Sequence, residues 1–221
     1  INPVIGISEL FSEIDRRLQG RDLSNYRFHR RVSYEVECNW KVYVDNYLEG
    51  YHLPHVHPGL NRLLDYRSYQ TEIGRWHSLQ WSPMESAENF YGEGEALYYF
   101  LFPNMMLNIL PSRLQTNQVI PLGVDRCRVD FDYYYPISDT ASGEPDKQPE
   151  WSADELGRME KDLEFSDEVQ EEDIAICQQV QKNLISGSYI CGRLNPKREA
   201  GVHHFHELIR TAYREAAAGD T

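Results

Sequence analysis

The residues best equipped for chemistry lie between Asn39 and Leu60, where the chain reads NWKVYVDNYLEGYHLPHVHPGL. Asp45, Glu49 and His52 stand at i, i+4 and i+7, a spacing that puts two carboxylates and an imidazole on one face of a continuous helix. Two buried carboxylates are costly without a counter-charge, so such a face is either solvated or gathered around a cation. His57 follows His52 by five residues, which an unbroken helix carries round to another side. Pro54 interrupts the helix between them, so the chain can fold back and bring both imidazoles to one point. Spacing alone leaves two readings open: an exposed acidic face with a histidine-rich loop, or a metal site.

Asp173 is a second and independent signal. In EEDIAICQQVQKNL the apolar residues Ile176, Cys177, Val180 and Leu184 follow it at +3, +4, +7 and +11, which sets Asp173 at the head of an apolar stripe facing the core. Glu171 and Glu172 fall off that stripe and are expected in water. A carboxylate near a helix start commonly serves as a cap, but beside two histidines without partners a metal is the better account. Two imidazoles and one carboxylate, with no cysteine, form the facial ligand set of non-haem iron(II), with positions left open for dioxygen. Zinc hydrolases draw on the same donors, so the residue types leave iron and zinc both open.

These side chains need a scaffold, and the pattern predicts an α+β one. A short charged helix is expected over Ile7 to Leu18, and alternation predicts a strand from Tyr26 to Cys38. Asn39 to Tyr51 reads as a helix stopped by Pro54 and Pro58. From Tyr66 to Pro136 the runs are β-like, with turns at PN, PSR and LGVD. Residues 138–151, SDTASGEPDKQPEW, read as a surface loop. Two helices follow, Ser152 to Phe165 and Ser166 to Leu184, then a last one from about Gly201 to Ala217. This order predicts one domain over residues 1–221, a curved antiparallel sheet gripping a long C-terminal helix. The 221 residues carry 22 Lys+Arg against 35 Asp+Glu, a net charge of −13, which argues against nucleic acid and anionic membrane partners. No apolar run approaches the roughly 18 residues of a spanning helix. Four scattered cysteines, Cys38, Cys127, Cys177 and Cys191, suit a reducing cytoplasm.

The run Asp45-x3-Glu49-x2-His52-x4-His57 resembles the iron motif of the catalytic domain of Rieske non-haem iron oxygenases, the ring-hydroxylating oxygenase α subunits. CNWKVYVDNYLEGYH, FLFPNMMLNI, EEDIAICQQVQKNL, GRLNP and GVHHFHELI resemble the choline and carnitine monooxygenase branch, in the right order, over about Leu10 to Glu215. The resemblance implies His52, His57 and Asp173 as iron(II) ligands. It implies Glu49 as the acidic bridge between that iron and the Rieske cluster of a neighbouring subunit, with Asp45 and Asn46 orienting the ligands. It further implies a helix-grip (START/Bet v 1-like) fold, a trimer of α subunits, and electrons from a ferredoxin or flavin reductase. A Rieske [2Fe-2S] cluster needs CxH and CxxH motifs, and no cysteine of this sequence is followed by histidine at +2 or +3. With the Ile1 start, this gives the expectation that the N-terminal cluster domain is missing from this chain and the polypeptide truncated or cleaved, a naturally separate catalytic subunit being the alternative.

Other residues invite similar readings. His203, His204 and His206 cluster on the last helix, off an apolar face of Val202, Phe205, Leu208, Ile209 and Ala212, and are expected at its rim or in contact with ligating residues. His55-x-His57 is an alternative ligand pair that the prolines disfavour. His29 and His77 sit in strand-like runs and read as structural. Trp76, Trp81 and Tyr99 are candidates for an aromatic cage around a quaternary ammonium. The leading functional reading is an oxygenase in which iron(II) activates O2 to hydroxylate a small organic substrate. An aromatic ring would give a cis-diol or phenol, and an N-methyl group or choline-like carbon an aldehyde. The alternatives are a helix-grip module that binds a hydrophobic ligand without chemistry, and a zinc hydrolase.

Overall fold

The computed structural model describes residues 6–18, 21–64, 67–84, 91–137, 151–189 and 191–219. Apart from Trp151, the expected loop over 138–151 lies outside them. The elements run α1 (Ile7–Arg17), β1 (Tyr26–Val36), α2 (Trp40–Leu48), α3 (Leu53–Val56), α4 (Pro58–Leu63), β2 (Gln70–Ile73), β3 (His77–Met84), β4 (Gly94–Leu101), β5 (Met105–Leu110), β6 (Arg113–Pro121), β7 (Cys127–Pro136), α5 (Ala153–Ile185) and α6 (Ala200–Gly219). Strands β2 to β7 form an antiparallel meander, and β1 closes it by pairing with β7, giving the order β1-β7-β6-β5-β4-β3-β2. The α2–α4 segment therefore leaves one edge of the sheet and rejoins at the other, crossing its inner face.

Side-chain alternation sorts the strands into two surfaces. Leu79, Leu97, Tyr99, Leu101, Leu107 and Ile109 pack with Ile14 of α1 and Leu18 just after it on the outer face. Val36, Phe100, Met106, Val119, Val129 and Tyr133 pack with Tyr43 and Leu48 of α2, Met159 and Leu163 of α5, and Phe205 of α6 on the inner face. The architecture is the helix-grip α+β fold. Among the described residues no helix is long and apolar enough to cross a membrane.

Three local expectations need correction. Helix α2 stops at Leu48, and Glu49 is extended (φ −119°, ψ 145°), so Asp45, Glu49 and His52 do not share a helical face. Just beyond it a Cβ on Gly50 would lie 2.6 Å from the Tyr69 ring, so this position requires glycine. Residues 153–185 form one 33-residue helix, not two. Ser152 and Glu155 cap its start reciprocally, but Ser166, which resembles a second cap, is buried and bonds the Tyr133 hydroxyl at 2.9 Å. Finally, Val180 and Leu184 are 40% and 41% exposed. The inward stripe of α5 is Met159, Leu163, Ser166, Gln170, Cys177 and Gln181, and Asp173 falls on it between Gln170 and Cys177.

Candidate metal centre and cavity

His52 lies in the turn between α2 and α3, and His57 between α3 and α4. Pro58 disfavours helical backbone at the residue before it, so His57 (φ −115°, ψ 73°) breaks away from α3 and α4 starts afresh. That kink turns the His57 ring inward, leaving it 1% exposed. His55, two residues earlier, is exposed. Asp173 arrives from α5. His52 Nε2 and His57 Nε2 are 3.1 Å apart, and Asp173 Oδ1 lies 3.1 Å from the second and 3.7 Å from the first. Among the described residues these three make the one group of metal-ligating side chains with donor atoms all within 4.8 Å of one another.

The surrounding bonds fix the direction of each donor. His52 Nδ1 faces Glu49 Oε1 at 2.5 Å, and His57 Nδ1 faces Glu172 Oε2 at 2.7 Å. A carboxylate can only accept there, so the hydrogen-bond network assigns the imidazole hydrogens to Nδ1 and turns both Nε2 lone pairs inward. Asn46 Nδ2 donates to Asp173 Oδ1 at 2.6 Å. Glu49 is itself held, its Oε2 accepting from the backbone N–H groups of Tyr51 at 2.9 Å and His52 at 3.2 Å. Burial opposes a charge on His57, but bonds to Asp173 and Glu172 outweigh it and raise the imidazole pKa above its ordinary value. Two lone pairs and a carboxylate oxygen so close together repel unless a cation or proton lies among them. The set of two nitrogens and one oxygen, free of sulfur, fits a divalent first-row metal.

The site opens into a cavity of about 870 Å³, its mouth included, between the inner face of the sheet, the α2–α4 segment and α5. Tyr43, Tyr47, Tyr69, Tyr91, Tyr98, Phe131 and Phe165 give the wall its aromatic character. The proposed cage of Trp76, Trp81 and Tyr99 lies elsewhere. Tyr99 packs beneath α1 on the outer face, Trp81 is there under the Arg17 guanidinium, and Trp76 packs on Phe102 before β3. The reason is strand parity, which sends Tyr98 rather than Tyr99 into the cavity.

Asp45 does not touch the three donors. Its carboxylate meets His206 Nε2 of α6 at 2.9 and 3.1 Å. His203 is exposed, His29 packs on Tyr135 and Trp151, and His77 pairs with Glu13 at 3.2 Å. Glu172, expected in water, instead turns its carboxylate to His57 Nδ1, and the buried amides of the cavity wall have no counterpart in the sequence analysis. For the amides the available signal was a polar residue at an inward position of each of several adjacent strands.

Residues 23–215 match the sequence profile of the ring hydroxylating alpha subunit, catalytic domain. The chain belongs to this family. The catalytic domain is 38% identical over 205 residues to the chloroplastic choline monooxygenase of Arabidopsis thaliana, covering 90% of this chain and 45% of that protein. It is 26% identical over 209 residues to the carnitine monooxygenase oxygenase subunit of Escherichia coli, covering 88% and 52%. The chain thus spans about half the length of these curated relatives. A quaternary ammonium Rieske monooxygenase of known structure superposes with a TM-score of 0.74 at 21% identity, covering 93% of this chain and 56% of that one, which establishes the shared fold.

Proposed function

We propose that this chain is the oxygen-activating part of a Rieske-type monooxygenase, holding one iron(II) on His52, His57 and Asp173. The observation that carries this is the inward convergence of two Nε2 atoms and one carboxylate oxygen at an aromatic cavity. When bound, iron(II) supplies the centre at which O2 is activated for hydroxylation. The chain's own residues do the rest. Glu49 and Glu172 hold the imidazole tautomers, Asn46 fixes the Asp173 carboxylate, and the wall excludes bulk water. Asp45 acts at one remove, tying α2 to α6. Family membership favours iron over a zinc hydrolase, and the convergent donors favour catalysis over a plain binding module.

The relatives are named for choline and carnitine, so the substrate class we assign is a small organic ammonium cation rather than an aromatic ring. The aromatic faces of the cavity wall suit a cation. Electrons come from a Rieske [2Fe-2S] cluster fed by a ferredoxin or flavin reductase, with Glu49 as the bridge to the iron across a subunit boundary in a trimer. Replacing His52, His57 or Asp173 by Ala should reduce bound iron to background by elemental analysis. Full iron content in all three variants would falsify the ligand assignment.

A further inference from the structure

On the inner face of the sheet, Gln80, Tyr98, Asn108 and Gln115 stand directly opposite one another across β3, β4, β5 and β6. All four line the cavity. The two middle strands flank the row with apolar Phe100, Met106, Ala96 and Leu110, while buried polar residues flank it on β3 and β6. Three amides in such a place are costly unless each finds a partner: Gln80 and Gln115 are 1% exposed and Asn108 is 8% exposed.

Their bonds show what is left over. Gln80 Nε2 donates to the Tyr47 carbonyl at 2.6 Å, Asn108 Oδ1 accepts from the Tyr47 hydroxyl at 2.7 Å, and Gln115 Nε2 donates to Asn117 Oδ1 at 2.8 Å. The backbone carbonyl fixes the Gln80 amide and leaves its Oε1 without a donor, and Gln115, whose bond to Asn117 can be made with both amides turned, likewise keeps one unpartnered amide atom. A polar atom buried without a partner costs about 1–3 kcal/mol, so the row is suited to receive a ligand's O–H or N–H. The two glutamines are three strands apart, so a small ligand engages one of them at a time.

Charge narrows the choice further. Among the described residues Arg113 is the one lysine or arginine lining the cavity. Its Nη1 donates to Asp162 Oδ1 at 2.6 Å, and Asp162 also accepts from the Tyr91 and Tyr135 hydroxyls at 2.6 and 2.7 Å. The guanidinium is neutralised within the wall by Asp162, so it offers a ligand carboxylate no net positive charge.

We propose that the amide row is the specificity-determining subsite of the cavity, selecting among small organic cations those that carry a hydrogen-bond donor and no carboxylate. This rests on reading the cavity as a site for ammonium cations, and the test separates the two. Calorimetry on the purified chain compares choline, its hydroxyl-free counterpart ethyltrimethylammonium, and carnitine as the carboxylated probe. Choline should bind at least about tenfold more tightly than either. Gln80→Met or Gln115→Met should bring choline to the affinity of ethyltrimethylammonium while leaving the latter's unchanged, which also reports an intact fold. If ethyltrimethylammonium or carnitine matches choline in the wild type, or both variants keep the discrimination, the row is not the determinant and the cation reading stands. If none of the three binds, both readings are overturned.

Discussion

His57 has carboxylates on both ring nitrogens, Glu172 on Nδ1 and Asp173 on Nε2, in a position almost closed to water. The structure brings together the two histidines and Asp173 that the sequence offers as candidate ligands, although the apolar stripe that points to Asp173 is solvent-exposed in its outer half. Glu172 was not legible, because a helical projection shows only that it lies beside Asp173. What brings it inward is the kink at His57, a contact 115 residues away in sequence. Its role is to hold the Nδ1 hydrogen and raise the basicity of Nε2. Loss of such an outer partner commonly weakens metal binding about 10- to 100-fold. Glu172→Ala should therefore raise the iron dissociation constant by that factor with little loss of stability, since its side chain is 37% exposed. Glu171→Ala, one residue away and exposed, should be silent. Equal effects from the two substitutions would remove Glu172 from the site.

At the scale of elements, the strand periodicity and the order of helices were readable, but two boundaries were not. A serine inside α5 has the look of a cap until tertiary structure gives its hydroxyl to Tyr133. Tyr69, which arrives from beyond α4, leaves no room for a side chain at position 50, just past the end of α2. Within α2, Asp45 ties that helix to α6 through His206. The Asp45 bond raises the His206 pKa above its ordinary value against the effect of burial, with Arg210 opposing and Glu207 assisting. Burial raises the Asp45 pKa, with His206 and Lys41 opposing and Glu199 assisting. A raised histidine pKa contributes stability that is complete below the unfolded value near 6.5 and is lost as pH rises through the folded value. The stability difference between wild type and His206→Gln should thus be larger at about pH 6 than at about pH 8.5. It should stay below about 1 kcal/mol, because the side chains are 34% and 35% exposed. Urea denaturation at the two pH values measures it, and a difference that is the same at both would leave the pair without an electrostatic role.

Over the whole molecule, the candidate ligands join the crossing segment to α5, adding to the inner-face core in which α2 and α5 already pack together. Glu49, Glu172 and Asp173 surround two inward-facing lone pairs in a chain whose net charge is already −13. Without a cation this arrangement repels itself, and a divalent ion converts the repulsion into a link between residues 116 positions apart. Metal binding to the native state alone stabilises it by RT ln(1 + [L]/Kd), about 2.7 kcal/mol at a hundred times Kd. For a chain of this size that is a rise in melting temperature on the order of 5–10 °C. We therefore expect anaerobic ferrous iron to raise the melting temperature of the purified chain by that amount, and a chelator to reverse the rise. His57→Ala removes one donor while leaving the carboxylates in place, so it should melt at a temperature nearly independent of iron. A shift of the same size in that variant would mean that the ion acts as a general counter-charge to an acidic protein. The absence of any shift in the wild type would mean that the three donors do not form a metal centre.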